Sequence, residues 1–186
     1  MTNEQILIAV LDALRARNVP YMLTGSLATN LYGVPRSTMD VDLVVSIVGE
    51  SMSEILNYLP AGFRLDSQVS FETVTGTTRY VLEVAEHDYK AELFLLSDDP
   101  HDRSRFARRR PSTVVGREVF VPTPEDVIIS KLRWCLRARR SKDLDDVRNV
   151  LAAQQNSLDW KYIRGWCTEH GTLDLLEELR SQIPPI

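Results

Sequence analysis

The pattern of apolar residues changes near residue 122, and this change limits the folds that the chain can adopt. Before it, short apolar stretches such as Tyr21–Leu23 and Met39–Ile47 alternate with helical segments, which predicts strands among helices. After it, Thr123 precedes a proline and two acids, a strong helix start, and helical periodicity continues onward. We therefore predict an α+β fold, in which residues 1–122 form a mixed-sheet α/β core and residues 123–186 form a helical region packed on it.

The positions of the individual elements follow from the same periodicities. The arginine-rich stretch from Arg103 to Arg110 shows neither the helical nor the strand pattern of apolar residues and is predicted as a loop. Further strands are predicted at 68–73, 78–86, 89–96 and 119–121, and helices at 3–17, 27–32, 51–58, 124–139, 141–154, 157–171 and 172–183.

Composition excludes several classes of protein. The chain has 186 residues, 44% of them hydrophobic and 26% charged, and a formal net charge of −4, which is typical of a soluble globular protein. No apolar run approaches the roughly 18 residues of a membrane span. Cys135 and Cys167 have no second ligand at zinc-binding spacing, so reduced thiols are expected. We predict a cytoplasmic protein without a membrane partner.

Two acids on one predicted strand point to cation chemistry. Asp40 and Asp42 are two residues apart, so both side chains leave the same face of the strand, about 6.6 Å apart along the chain. Adjacent carboxylates repel each other unless a cation lies between them, and oxygen ligands favour Mg²⁺ or Mn²⁺ over zinc. Upstream, Gly25-Ser26 falls between a strand and a helix, where free backbone N–H groups can hold a phosphate.

A third acid, Glu92, lies within the apolar strand Ala91–Phe94, where an unpaired charge is unfavourable. If this strand neighbours the strand of Asp40 and Asp42, three carboxylates converge. Such a group can hold two metal ions about 3.5–4 Å apart, one at an attacking hydroxyl and one at a triphosphate. An incidental ion pair or a solvated strand edge is the simpler alternative for an Asp-x-Asp pair alone.

Five stretches of the chain resemble a known superfamily. Gly25-Ser26 and the run from Tyr32 to Val44 (YGVPRSTMDVDLV) resemble the DNA polymerase β-type nucleotidyltransferases. Lys90–Phe94, Thr123–Leu132 and Ser141–Val147 are similar to a narrower group, the small nucleotidyltransferases related to abortive-infection (AbiEii-type) toxins. The resemblance implies a polymerase β-like core with a C-terminal helical bundle, and an enzyme that moves an NMP from an NTP to an acceptor hydroxyl.

The resemblance also implies roles for the motif residues. Asp40 and Asp42 would bind the catalytic Mg²⁺ or Mn²⁺ ions, and Glu92 would take the third carboxylate position. That position is usually Asp in the family, and the longer Glu puts the activation of the acceptor in question. Gly25 and Ser26 would hold the triphosphate of the NTP.

Further nucleotide contacts are implied on both sides of the predicted domain boundary. Arg36 and Thr38 would border the nucleotide, and Lys131 would reach its phosphates. Lys142 and Asp146 would help to shape the same pocket.

The acceptor is the open part of this interpretation. The Arg103–Arg110 and Lys131–Lys142 stretches form a predicted basic surface that can track an RNA backbone. With the resemblance, this favours RNA or tRNA as acceptor and a toxin partnered by an antitoxin. An antibiotic or protein acceptor remains an alternative, although a site for a cationic aminoglycoside should be acidic. A non-catalytic relative that binds a nucleotide or a partner is a second alternative.

Overall fold

A mixed sheet organises the first region of the chain. The computed structural model describes residues 1–48, 51–138 and 141–184. The helices in these ranges are α1 (Asn3–Ala16), α2 (Gly25–Thr29), α3 (Met52–Leu56), α4 (Pro100–Ala107), α5 (Pro124–Ala138), α6 (Ser141–Gln154), α7 (Trp160–His170) and α8 (Leu173–Ser181). The strands are β1 (Tyr21–Thr24), β2 (Asp40–Val45), β3 (Phe63–Leu65), β4 (Ser70–Glu72), β5 (Thr77–Val84), β6 (Lys90–Leu95), β7 (Arg110–Val114) and β8 (Arg117–Val121).

The strand order brings the predicted acidic strands side by side. The order is β1-β2-β6-β5-β3, with β4 also paired to β5. Strands β2 and β6 run parallel, whereas β1–β2, β5–β6, β3–β5 and β4–β5 are antiparallel. Because partners in register share a face, Asp42 and Glu92, which are directly paired, project from the same side of the sheet.

Local sequence explains where the longer helices begin and end. Thr2 and Gln5 form a reciprocal capping box at the start of α1. Asp99 caps α4, with Pro100 at its first position, and Gly171 ends α7 in the left-handed conformation. None of the helices in the described parts of the chain is both long and apolar enough to cross a bilayer.

Two large apolar clusters follow the two regions of the chain. One packs α1 and α3 against the sheet, and its most buried members include Leu11, Leu43 and Leu93. The other lies among α5, α6, α7 and α8, around residues such as Ile128 and Leu176. The Tyr32 ring packs against both clusters, and its hydroxyl donates a hydrogen bond of 2.7 Å to the carbonyl of Pro122.

Most of the predicted elements occur, but the arginine-rich stretch is not a loop. Residues 100–107 form α4, and residues 110–114 form β7, which pairs with β8. Helix α4 has one buried apolar side chain, Phe106, and buries the polar side chains of His101, Asp102 and Arg105 instead. Apolar periodicity therefore could not reveal this helix. The short strand β3 was likewise not predicted.

Candidate active site

A cleft of about 370 Å³ lies over the open face of β2 and β6. Its floor is the sheet, and α5 and α6 contribute one wall through residues such as Lys131 and Trp134 of α5 and Asp143 of α6. The cleft is lined by seven of the ten site residues predicted from the sequence, namely Gly25, Ser26, Asp40, Asp42, Glu92, Lys131 and Lys142. The remaining three, Arg36, Thr38 and Asp146, contact residues of the lining through hydrogen bonds or ion pairs.

The pairing of β1 with β2 sets Gly25 against Asp42. Thr24 is the register partner of Asp42, and Gly25 follows it with a φ of +61°. A Cβ atom at Gly25 would lie 1.8 Å from Oδ2 of Asp42, closer than any non-bonded contact allows. Glycine is therefore required here by both backbone conformation and space.

The two aspartates on β2 lie in different environments. Oδ1 of Asp40 accepts a 2.5 Å hydrogen bond from the hydroxyl of Thr38. The pKa of Asp42 is raised to about 7, first by burial and then by the neighbouring carboxylates of Asp40 and Glu92, while Lys131 acts in the opposite direction. A divalent cation at this position would relieve the repulsion, and the oxygen donors match the preference of Mg²⁺.

Glu92 faces a cation that the sequence did not reveal. Nη1 of Arg79 lies 3.2 Å from Oε2 and 3.4 Å from Oε1 of Glu92. Within the described residues, no three His, Cys, Asp or Glu side chains are grouped so that they could hold a metal ion. The cleft gathers the three acids, and Arg79 pairs with the third, so the role of Glu92 as a third metal ligand stays a prediction.

A network of charges connects the loop before β2 with α5 and α6. Arg36 donates to both carboxylate oxygens of Asp146 at 2.9 Å and to Oγ of Ser26 at 2.8 Å. Nζ of Lys131 lies 2.9 Å from Oδ1 of Asp143 and 2.8 Å from Oδ2 of Asp146. Burial would raise the pKa of Asp146, but the hydrogen bonds from Arg36 and Lys131 outweigh it and lower that pKa.

The predicted basic surface is partly neutralised by ion pairs within the protein. On α4, Arg105 pairs with the buried Asp102, and the exposed Arg103 pairs with Asp98 at 2.6 Å. Arg108 lies 3.4 Å from Asp126, and the guanidinium of Arg109 stacks 4.1 Å from the Phe106 ring centroid. The other half of the predicted surface includes residues 139–140, which lie outside the described residues.

Several cleft residues have no sequence motif that could have identified them. Arg79, Arg105 and Trp134 all line the cleft. Arg79 shares a face of the sheet with Glu92 because β5 and β6 pair with Val81 opposite Glu92. Strand alternation could have shown which face Arg79 occupies, but only the strand pairing shows that this face is the cleft.

Solved structures share this architecture. The chain is similar to ANT(2'')-Ia in complex with adenylyl-2''-tobramycin, with 17% identity, a TM-score of 0.65, and coverage of 92% of this chain and 98% of that one. An antigenic nucleotidyltransferase-like protein from Paracoccidioides brasiliensis gives 20% identity, a TM-score of 0.58, and coverage of 99% and 95%. The lincomycin-bound lincosamide antibiotic adenylyltransferase LnuA gives 12% identity, a TM-score of 0.51, and coverage of 82% and 98%.

Fold and family agree on the class of protein. At these identities the structures show a nucleotidyltransferase fold, which confirms the predicted α+β class. No curated protein matches the sequence. The family described as nucleotidyltransferase of unknown function (DUF6036) matches residues 5–183, and the chain belongs to that family. The prediction of a nucleotidyltransferase enzyme is thereby confirmed.

Proposed function

We propose that the chain transfers an NMP from an NTP to an acceptor hydroxyl and releases pyrophosphate, with Mg²⁺ or Mn²⁺ as its cofactor. The observation that carries this proposal is the pair Asp40 and Asp42, held on one strand with Gly25 directly against Asp42. Such a pair gains its stability from a bound cation, and a triphosphate brings that cation with it.

Asp40 and Asp42 are the residues that hold the metal in this proposal. Mg²⁺ in proteins is commonly bound by one or two carboxylates, with substrate phosphates and water completing its octahedron. Two aspartates are therefore sufficient, and Glu92 as a third ligand stays a prediction. A bound metal ion would neutralise the negative charge that develops on the phosphoryl oxygens.

Cationic and hydroxyl groups around the aspartates would bind the triphosphate. Ser26 and Arg36 are joined by a hydrogen bond, and Lys131 lies near them because it shares the Asp146 carboxylate with Arg36. Lys142 also lines the cleft, and no ion pair involves it among the residues that the structure describes. Gly25 leaves room for the Asp42 carboxylate and would offer its backbone to the phosphates, while Thr38 and Asp146 orient Asp40 and Arg36.

The reaction is an in-line displacement at the α-phosphorus. The acceptor oxygen forms a bond to the α-phosphorus as the bond to the pyrophosphate oxygen breaks. The hydroxyl proton passes to Glu92, which lies beside Asp42 on the neighbouring strand. The cations that hold the triphosphate stabilise the negative charge on the departing pyrophosphate.

We further propose an acceptor class and a biological role. The resemblance to AbiEii-type toxins supports an RNA or tRNA acceptor and an antitoxin as partner. The ion pairs of Arg103 and Arg105 leave less free positive charge for an RNA backbone than the sequence predicts. An antibiotic or a protein hydroxyl remains the alternative acceptor. The predicted cytoplasmic location suits the reaction, because NTPs are supplied there.

The test is a transfer assay with α-phosphate-labelled NTPs and Mg²⁺ or Mn²⁺, offered to total RNA, a protein extract and an aminoglycoside panel. Asp42→Asn removes a metal ligand and should reduce label transfer about 100-fold or more while the fold is retained. Asp88→Asn, at an exposed position in the turn before β6, makes the same chemical change outside the cleft and should transfer label as the wild type does.

The acceptor that becomes labelled identifies the acceptor class. If the wild type binds NTP with Mg²⁺ but transfers label to no acceptor, the protein is a nucleotide-binding relative and the proposal is wrong. If Asp42→Asn transfers label as efficiently as the wild type, the assignment of the aspartate pair is wrong.

A further inference from the structure

Arg79 occupies the side of the cleft that lies away from the predicted phosphate site. The strand order β1-β2-β6-β5 puts Ser26, which follows β1, and Arg79, on β5, on opposite sides of Asp42 and Glu92. At the usual spacing of adjacent strands, the backbone of β5 lies about 10 Å from that of β2, and the Arg79 side chain extends from β5 as far as Glu92 on β6. The donor phosphates and Arg79 are therefore separated by the reacting centre.

The guanidinium of Arg79 is fixed at two of its three nitrogens. Nε donates a hydrogen bond of 2.8 Å to Oγ of Ser70, and Nη1 donates to the carboxylate of Glu92. Across the described residues, Nη2 has no hydrogen-bond partner. The side chain is 37% exposed and lines the cleft, so a rigidly held donor pair is available to a molecule bound there.

The acids on this side of the cleft are already engaged. Both oxygens of Glu92 face Arg79. The carboxylate of Glu72 accepts hydrogen bonds from the backbone N–H groups of Val74 and Thr75 and, at 2.6 Å, from the hydroxyl of Thr75. Among the residues that the structure describes on this side of the cleft, a cationic acceptor would compete with these partners for a carboxylate, whereas an anion would find Nη2 of Arg79 without one.

We infer that Arg79 binds an anionic group, phosphate or carboxylate, on the acceptor, and so selects hydroxyl acceptors that carry such a group. This inference rests on the proposed function. Arg79 is a specificity-determining residue, and Ser70 and Glu92 are its positioning partners. An arginine oriented in advance loses little conformational freedom when it binds an anion.

The experiment measures binding, since the natural acceptor is not needed for it. The full chain is saturated with Mg²⁺ and α,β-methylene-ATP, which fills the donor site without reacting, and the affinities of four related sugars are measured by NMR titration. Glucose is the neutral reference, glucose 6-phosphate and glucuronate carry the two kinds of anion, and glucosamine carries a cation. The wild type should bind at least one anionic sugar about tenfold or more tightly than glucose.

Three variants test whether Arg79 causes the preference for anionic sugars. Arg79→Gln should remove it, and Arg79→Lys, which keeps the charge but not the planar donor fork, should retain part of it. Ser70→Ala keeps Arg79 but removes the hydroxyl that holds its Nε, and it should weaken the preference for anionic sugars. This variant tests the inference even if Arg79→Gln fails to fold. Arg64→Gln is the matched control, because Arg64 pairs with Glu83 as Arg79 pairs with Glu92, but Arg64 does not line the cleft.

The outcomes separate this inference from the function on which it rests. If α,β-methylene-ATP does not bind, the proposed function fails. If it binds but the wild type does not distinguish the anionic sugars from glucose, or prefers glucosamine, the inference about Arg79 is overturned. A preference that survives in Arg79→Gln overturns it as well. The relative affinities of glucose 6-phosphate and glucuronate show which anion the site takes.

Discussion

Gly25 and Asp42 approach each other more closely than two residues with side chains could. The sequence assigned Gly25 to phosphate binding because it follows a strand and precedes a helix. In the structure a Cβ at this position would overlap the carboxylate of Asp42. Gly25 therefore has a structural reason to be glycine even before a nucleotide binds.

Gly25→Ala should impair catalysis more than it impairs folding. The new methyl group displaces the Asp42 carboxylate, and a displacement of about 1 Å at a reacting centre can reduce the rate about 100-fold. Label transfer and the free energy of unfolding are both measured. Gly116→Ala is the control, because Gly116 has a similar φ of +69° with nothing within 4 Å of its Cβ position.

The Gly116→Ala control isolates the cost of the backbone conformation. It should destabilise the fold by about 1–2 kcal/mol, the penalty of a left-handed alanine, and leave transfer unchanged. If both variants lose transfer to the same extent, backbone strain rather than the contact with Asp42 is the cause.

At the scale of elements, the loop before β2 depends on α6 for its position. Arg36 donates to both carboxylate oxygens of Asp146, 110 residues away, and Asp146 also pairs with Lys131 of α5. Asp146 is almost fully buried, with 4% of its side chain exposed. One carboxylate thus orients two of the predicted phosphate-binding cations.

Asp146→Asn should lower both stability and nucleotide affinity. Removing one partner of a buried pair costs about 3–5 kcal/mol, and because Arg36 is one-third exposed we expect about 2–4 kcal/mol by urea denaturation. The control is Asp145→Asn, since Asp145 is 67% exposed and pairs with Arg148 at the surface. Its loss should cost less than about 0.5 kcal/mol. Equal effects of the two changes would contradict the bridging role of Asp146.

At the scale of the whole molecule, two histidines lie where α4 meets α5 and α7. His101 on α4 is buried, and its Nε2 lies 3.3 Å from Oδ1 of Asp126 on α5. The rings of His101 and His170, the last residue of α7, are 5.3 Å apart, and Trp166 packs against both. Burial lowers the pKa of both histidines, to about 4 for His170, where Arg133 and His101 add to the effect.

The fold should therefore lose stability in mild acid. A histidine with a lowered pKa is neutral in the folded protein, and the unfolded chain binds the proton first as pH falls below about 6.5. The stabilisation is complete above about pH 6.5 and is lost as the pH falls towards 4. The carboxylates in contact, Asp99 and Asp126, have lowered pKa values because hydrogen bonds outweigh their burial, and they titrate below this window.

Chemical denaturation at a series of pH values measures this dependence. His170→Gln should reduce the slope of the unfolding free energy between pH 6.5 and 4.5. The His101→Gln variant should do the same, with a larger loss of stability at neutral pH because His101 is fully enclosed. A slope that is unchanged in both variants would show that these histidines do not couple the helices to pH.

The sequence by itself determined the α+β class, most helices, and the strand that carries Asp40 and Asp42. These features follow from local periodicity and capping, which depend on residues close together in the chain. It did not decide whether the strand of Glu92 neighbours that strand, and the pairing of β2 with β6 shows that it does. The division at residue 122 remains a proposal, supported by the two apolar clusters.

Only the tertiary structure decided which charges meet. Arg79 pairs with Glu92, Arg36 with Asp146, and Arg105 with Asp102, so that acids and bases predicted to act on ligands partly neutralise each other. Helix α4 was not predicted from the sequence because its buried side chains are mostly polar, and these are buried through contacts with other elements. Contacts between distant elements depend on strand register and helix packing, which local sequence patterns do not encode.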